Sequence, residues 1–221
     1  MESGYLVLII SLILAAIDWL AVARRRKRLE YIFKPATLTA ILVGAWLLAQ
    51  TPHDAWMARL FLAGLTFSLI GDVLLMLPER FFIPGLVAFL LAHLCYIAGL
   101  NQTPPPWLTL APLVLVAAIW LVLYRGIAAG LRRQGQRALL VPVTIYSLVL
   151  GLMLLSAWAT LFRSEWTSLR QALVIVGGTL FFASDAALAW ERFVKPSSWL
   201  RLLVIVTYHL AQVALAASIA A

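Results

Sequence analysis

The chain has 221 residues, 64% of them hydrophobic and only 12% charged, with a mean hydropathy of +0.99, which excludes a soluble domain whose surface must be polar. Its formal net charge of +8 does not point to nucleic acid, because the basic residues sit between hydrophobic runs instead of forming a face with interleaved aromatics. The single cysteine, Cys95, allows no disulfide within the chain and reads as a packed apolar thiol.

The first apolar run, GYLVLIISLILAAIDWLAVA at 4–23, is long enough to span a bilayer. RRRKR follows it where a signal peptide would have a small-residue cleavage site, so the run is expected to stay as a helix. Further apolar segments lie near 33–50, 56–77, 84–100, 107–124, 139–161, 169–190 and 198–220, each close to the ~20 residues a helix needs to cross hydrocarbon. Helices are expected because backbone groups must be satisfied within each segment. The connections TPHDA, PERFFIP, NQTPPP, GLRRQGQR, FRSEWTS and ERFVKPS are short and carry turn signals. The sequence therefore predicts an all-α integral membrane protein of eight transmembrane helices, one transmembrane domain over 1–221. With RRRKR in the cytoplasm, all of the 17 Lys and Arg except Arg59, Arg163 and Arg170 fall on or next to that side. Both termini are then outside, Trp46, Trp56, Trp107 and Trp166 mark the outer boundary, and His53 and Asp54 fall in a solvated outer loop.

The chain also repeats itself. FKPATLTAILVGAW in the second span is echoed by LVPVTIYSLVLGLM in the sixth, and LTFSLIGDVLLMLPERF in the third by TLFFASDAALAWERF in the seventh. This predicts two parallel four-helix pseudo-repeats, about 1–103 and 104–221, related by an axis along the membrane normal. Asp72 and Asp185 then become equivalent, each six residues from a cytoplasmic boundary and about 9 Å deep.

A charge inside a bilayer costs several kcal/mol unless paired, neutralised or facing water, so each one is a candidate functional group. Besides the two aspartates, Lys34 opens the second span, Ser68 stands one turn before Asp72, and Ser184 directly precedes Asp185. His93 and Tyr96 share one face of the fourth span, Tyr208 and Gln212 one face of the eighth, and Tyr146 belongs to the sixth. A polar cavity open to the cytoplasmic side would collect them all. Asp18 lies at similar depth, without a counterpart in the other half, and the neighbouring arginines are its expected partners. Two carboxyl groups in one water-poor chamber favour a state in which one holds a proton and the other is ionised: an acid and a base.

At these residues the chain resembles the YhhN family, which includes the animal lysoplasmalogenases of the TMEM86 type. The resemblance is carried by KPATLT at Lys34, FSLIGDVLLM around Asp72, AHLCY at His93, PVTIY at Pro142, LFFASDAALA around Asp185 and TYHLAQ at Thr207. It implies hydrolysis of the vinyl ether bond of a lysophospholipid, releasing a fatty aldehyde and glycerophosphoethanolamine or glycerophosphocholine. Asp72 and Asp185 would be the acid/base pair, and Lys34 would hold the lipid phosphate. Ser68, His93, Tyr96, Tyr146, Ser184, Tyr208 and Gln212 would line the substrate site. No cofactor and no metal are implied, and the partners are the lysophospholipid and membrane lipids.

Three other readings fit intramembrane Asp, His and Lys. A proton-coupled transporter would use the same residue types, although here they gather toward one side and not at the midplane. A zinc hydrolase would recruit His93 and His209, without an HxxxH or CxxC spacing to support it. A non-catalytic protein would bind the lipid and leave it intact.

Overall fold

The computed structural model describes residues 2–221. They form eight long helices, with no strand among the described residues: α1 Glu2–Ala23, α2 Lys27–Leu48, α3 Ala55–Met76, α4 Phe82–Leu100, α5 Leu110–Arg133, α6 Leu140–Ala159, α7 Ser168–Phe193 and α8 Ser198–Ala217. All eight are long and apolar enough to cross a membrane, and the protein is a multi-pass membrane protein. Large apolar side chains such as Ile9 and Ile13 on α1 and Val114 and Val122 on α5 are exposed, as they should be where the solvent is lipid.

Two helices outrun their apolar segments. α2 begins at Lys27 and α5 continues to Arg133, because apolarity records the hydrocarbon thickness and not the length of the helix. The charged KRLEYI and the GLRR stretch carry helical backbone beyond it.

Packing is pairwise. α1 lies along α2, α3 along α4 and α7 along α8, while α5 rests more lightly on α6 and α7. Across the halves, α2 meets α8 and α4 meets α6. The α3–α4 pair approaches closely at Gly71, where an added Cβ would lie 2.6 Å from the Phe89 ring. The residue before Asp72 therefore has to be small for α4 to reach the site.

The end that bears few free charges is held by internal ties. Asp54, expected to be merely solvated, instead caps α3, accepting from the N–H groups of Trp56 and Met57 at 2.9 and 3.0 Å. Partial burial of Asp54 works against its charge. The Met57 N–H, the Gln102 amide, the Trp56 N–H and nearby Arg170 outweigh this and hold its carboxyl below the usual range. Arg170 stacks on Trp166 at 4.0 Å, so this tryptophan serves as an internal platform, whereas Trp46, Trp56 and Trp107 are exposed. Arg163 is buried and donates to the Thr103 carbonyl at 3.0 Å.

Candidate active site

Four helices each bring one polar side chain to a common place, one to three turns in from their ends at the basic side of the bundle. Lys34 comes from α2, Asp72 from α3, Asp185 from α7 and Tyr208 from α8; Tyr146 of α6 and Ser184 of α7 join them on the wall of a cavity of about 430 Å³. Both aspartates, with their different helices, thus face one chamber.

The two carboxyl groups have different company. Asp72 is 1% exposed; Lys34 Nζ lies 3.0 Å from its Oδ1, and Tyr208 Oη donates to its Oδ2 at 2.8 Å. A buried carboxylate with an ammonium and a phenol on its two oxygens is compensated in the way that a low-dielectric site demands. Asp185 instead meets a phenol and an imidazole. Tyr146 Oη donates to its Oδ2, and His93 Nε2 stands 3.7 Å from the same oxygen. His93 Nδ1 is 2.6 Å from the Phe89 carbonyl. A carbonyl only accepts, so Nδ1 carries the hydrogen, and in the neutral ring Nε2 turns a lone pair toward Asp185.

The remaining sequence candidates stand behind the wall. Ser68, His93, Tyr96 and Gln212 are fully buried and do not line the cavity. Tyr96 Oη donates to Gln212 Oε1 at 2.8 Å, joining α4 to α8. Ser184 lines the cavity, but its hydroxyl donates to the Val204 carbonyl at 2.9 Å and fastens α7 to α8.

Several residues that sequence reasoning did not single out complete the site. Phe181, one turn before Asp185, is fully buried between the two carboxyl clusters. Its ring meets His93 edge-on at 4.7 Å and Tyr208 at 5.6 Å. Its signal is the i−4 spacing from Asp185 within LFFASD. One side of the cavity is apolar, built from Trp120 and Leu123 of α5, Leu150 of α6 and Phe182 of α7. Trp120 stacks on Tyr124 at 5.0 Å and donates to Ser147 Oγ at 3.1 Å, which ties α5 to α6. At the basic end the cavity is lined by Lys27, Glu30, Glu191, Arg192 and Arg201. Among the described residues, no three of His, Cys, Asp and Glu converge to hold a metal ion.

Such a chamber can deliver a proton from a carboxyl to a bound molecule beside a fixed negative charge, and its apolar side suits a hydrocarbon chain. The YhhN family matches residues 29–219. Mouse lysoplasmalogenase TMEM86B is 31% identical over 192 residues, covering 83% of this chain and 72% of its own. Pig lysoplasmalogenase TMEM86B is 37% identical over 153 residues, 69% of this chain and 59% of its own, so the match leaves a good part of that protein uncovered. The membrane protein YhhN of Escherichia coli O157:H7 is 30% identical over 174 residues, 76% of this chain and 67% of its own. No solved structure matches the chain.

Proposed function

The chain belongs to the YhhN family, and from that premise we propose that it is a lysoplasmalogenase that cleaves the vinyl ether bond of a single-chain phospholipid, with Asp185 as proton donor and Asp72 as the fixed anion. The animal relatives named lysoplasmalogenase support the reaction. The observation that carries the assignment is the unequal pairing of the two carboxyls: Lys34 faces Asp72 at 3.0 Å, whereas Asp185 has a phenol and an imidazole. A carboxyl buried without a cation is the one that retains its proton.

The slow step in cleaving an enol ether is protonation of the vinyl carbon remote from oxygen. Asp185 gives its proton to that carbon, and the positive charge that appears on the carbon–oxygen unit is stabilised by the carboxylates of Asp72 and Asp185. Water adds to the oxocarbenium carbon while Asp185 takes up one of its protons. The hemiacetal then collapses, its hydroxyl proton passing to the glycerol oxygen, and aldehyde and glycerophospho-alcohol leave. Asp185 ends protonated, as it began. Tyr146 and His93 hold the Asp185 carboxyl in place, Tyr208 holds Asp72, and the alkenyl chain lies along Trp120, Leu150 and Phe182.

The short loops and the compact, Arg-rich chain support a bacterial plasma membrane location, and the charge distribution supports the basic end in the cytoplasm. Purified protein in proteoliposomes is expected to release fatty aldehyde from lysoplasmenylethanolamine. Asp185→Asn and Asp72→Asn should each lower that release on the order of 10²-fold or more, both with the helical content of the parent, Asp185→Asn with its melting temperature and Asp72→Asn with a lower one because Lys34 loses its counter-charge. Near-normal turnover in either variant would remove the mechanism. Proton flux driven by substrate without product would replace it with transport.

A further inference from the structure

The basic end of the cavity repeats the register of its floor. On α2, Lys27 stands seven residues before Lys34; on α8, Arg201 stands seven before Tyr208. Seven residues are about two helical turns, so each pair shares a face, with roughly 10.5 Å between its members along the axis. All four residues line the cavity. Lys27 and Arg201 are exposed, whereas Lys34 and Tyr208 lie deeper, joined to Asp72. Glu30, one turn from Lys27, is 3.8 Å from Arg201, which draws the guanidinium toward α2. The N-termini of α2 and α8 flank this place, and neither carries a side-chain cap.

We propose that Lys27 and Arg201, positioned by Glu30, form a phosphate subsite that holds the phosphodiester headgroup of the single-chain lipid two helical turns from the carboxyl pair. This deepens the lysoplasmalogenase reading and rests on it. The spacing fits that lipid. From the vinyl carbon that takes the proton to the phosphorus is a path of about seven covalent bonds, roughly 9 Å when extended. Long Lys and Arg side chains make up the difference. Lys34 is the weaker candidate for the phosphate, because it is already committed to Asp72 at 3.0 Å. Arg192 also lines the mouth, but it is engaged with Glu79 at 2.8 Å and stacks on Phe82 at 4.0 Å.

The test separates binding from turnover. Wild type, Arg201→Gln, Lys27→Gln and the double variant are reconstituted, and KM and kcat are measured with lysoplasmenylethanolamine and with a 1-alkenylglycerol that lacks phosphate. Each single substitution is expected to raise KM for the phospholipid about tenfold and leave kcat within about twofold, with little effect on the alkenylglycerol. Arg132→Gln removes a positive charge from the same end of the bundle outside the cavity, and should leave both substrates unchanged. Binding of a non-hydrolysable alkyl-ether lysophospholipid, followed by tryptophan fluorescence, supplies a readout free of catalysis. Glycerophosphoethanolamine alone, as competitor, reports whether the headgroup suffices without the chain. Loss of ether-lipid binding in Arg201→Gln and Lys27→Gln supports the subsite even if no aldehyde is ever released, in which case only the hydrolase reading fails. Unchanged binding and unchanged KM in the double variant overturn the subsite, whatever the activity.

Discussion

Asp18 is the buried carboxyl that the site does not use. It is fully buried in α1, and neither carboxyl oxygen has a hydrogen-bond partner among the described residues. Arg24, Arg25 and Arg26 are exposed beyond the helix end, so the pairing expected of them does not form. An uncompensated carboxyl in such a place costs stability. By the rule that keeps a proton on Asp185, Asp18 is neutral and its cost lies in two unpartnered oxygens; Asp18→Ala removes them and is expected to raise stability by about 1–2 kcal/mol, read as a higher melting temperature in detergent, with aldehyde release within about threefold of the parent. A tenfold fall in release at unchanged melting temperature would instead mean that Asp18 helps to hold Lys34, whose field reaches it. Residues of this kind show what the sequence reveals and what it conceals. Depth is legible, since it follows from counting along a span, and so Lys34, Asp72, Tyr146, Asp185 and Tyr208 could all be found. Azimuth is not, because helix rotation is set by the neighbours. For that reason Ser68, His93, Tyr96 and Gln212, read at the same level, stand behind the cavity wall.

Among the connecting elements, the turns after α1 and α5 close in the same way. Arg26 N–H donates to the Ala21 carbonyl at 2.8 Å and Arg25 N–H to Val22 at 3.0 Å; Gln136 N–H donates to Leu131 at 2.9 Å and Gly135 N–H to Arg132 at 3.2 Å. This is the Schellman pattern, with its pivotal residue in the left-handed region, where φ is 54° at Arg25 and 73° at Gly135. Glycine adopts that conformation freely; arginine does so at a cost of about 1 kcal/mol. Arg25→Gly is therefore expected to stabilise the protein by about that amount, and Gly135→Ala, at a position with open space around it, to destabilise it similarly. Thermal denaturation of the two variants side by side decides it, and a melting temperature lowered by Arg25→Gly would refute the turn geometry. The existence and order of all eight helices were legible from apolar length alone. Their true ends were not: in α2 and α5 the extra turns are charged and signal only membrane orientation. Those turns of α2 carry Lys27 and Glu30 to the cavity mouth, and the mouth was illegible for the same reason.

At the scale of the whole molecule, the side on which the cavity opens decides which leaflet supplies its lipid. Counting charges already favours the basic end for the cytoplasm, and the structure sharpens the asymmetry. Of the three arginines expected outside, Arg163 and Arg170 are buried among internal partners, which leaves Arg59 as the exposed one. The charges that resist translocation are thus concentrated where Lys27, Arg192 and Arg201 line the cavity. Contacts of α2 with α8 and of α6 with α4 correspond under the repeat read from the sequence, while the α1–α8 contact has no α5–α4 counterpart of similar extent; the two-fold axis along the membrane normal is a proposal, under which the two carboxyls would share one depth on one side. A labelling experiment reads the orientation directly, because Cys95 is the only cysteine to remove. In a Cys95→Ala background, His53→Cys and Arg133→Cys place single thiols at exposed positions on opposite ends. A membrane-impermeant maleimide applied to intact cells should modify the first and spare the second, and both should react once the cells are permeabilised. Lysoplasmenylethanolamine confined to the outer leaflet of proteoliposomes should then be cleaved only by the molecules whose Arg133→Cys thiol is accessible from outside. If labelling is reversed in cells, the mouth faces away from the cytoplasm and the lipid it meets comes from the opposite leaflet, while the carboxyl pair and its chemistry stay as they are.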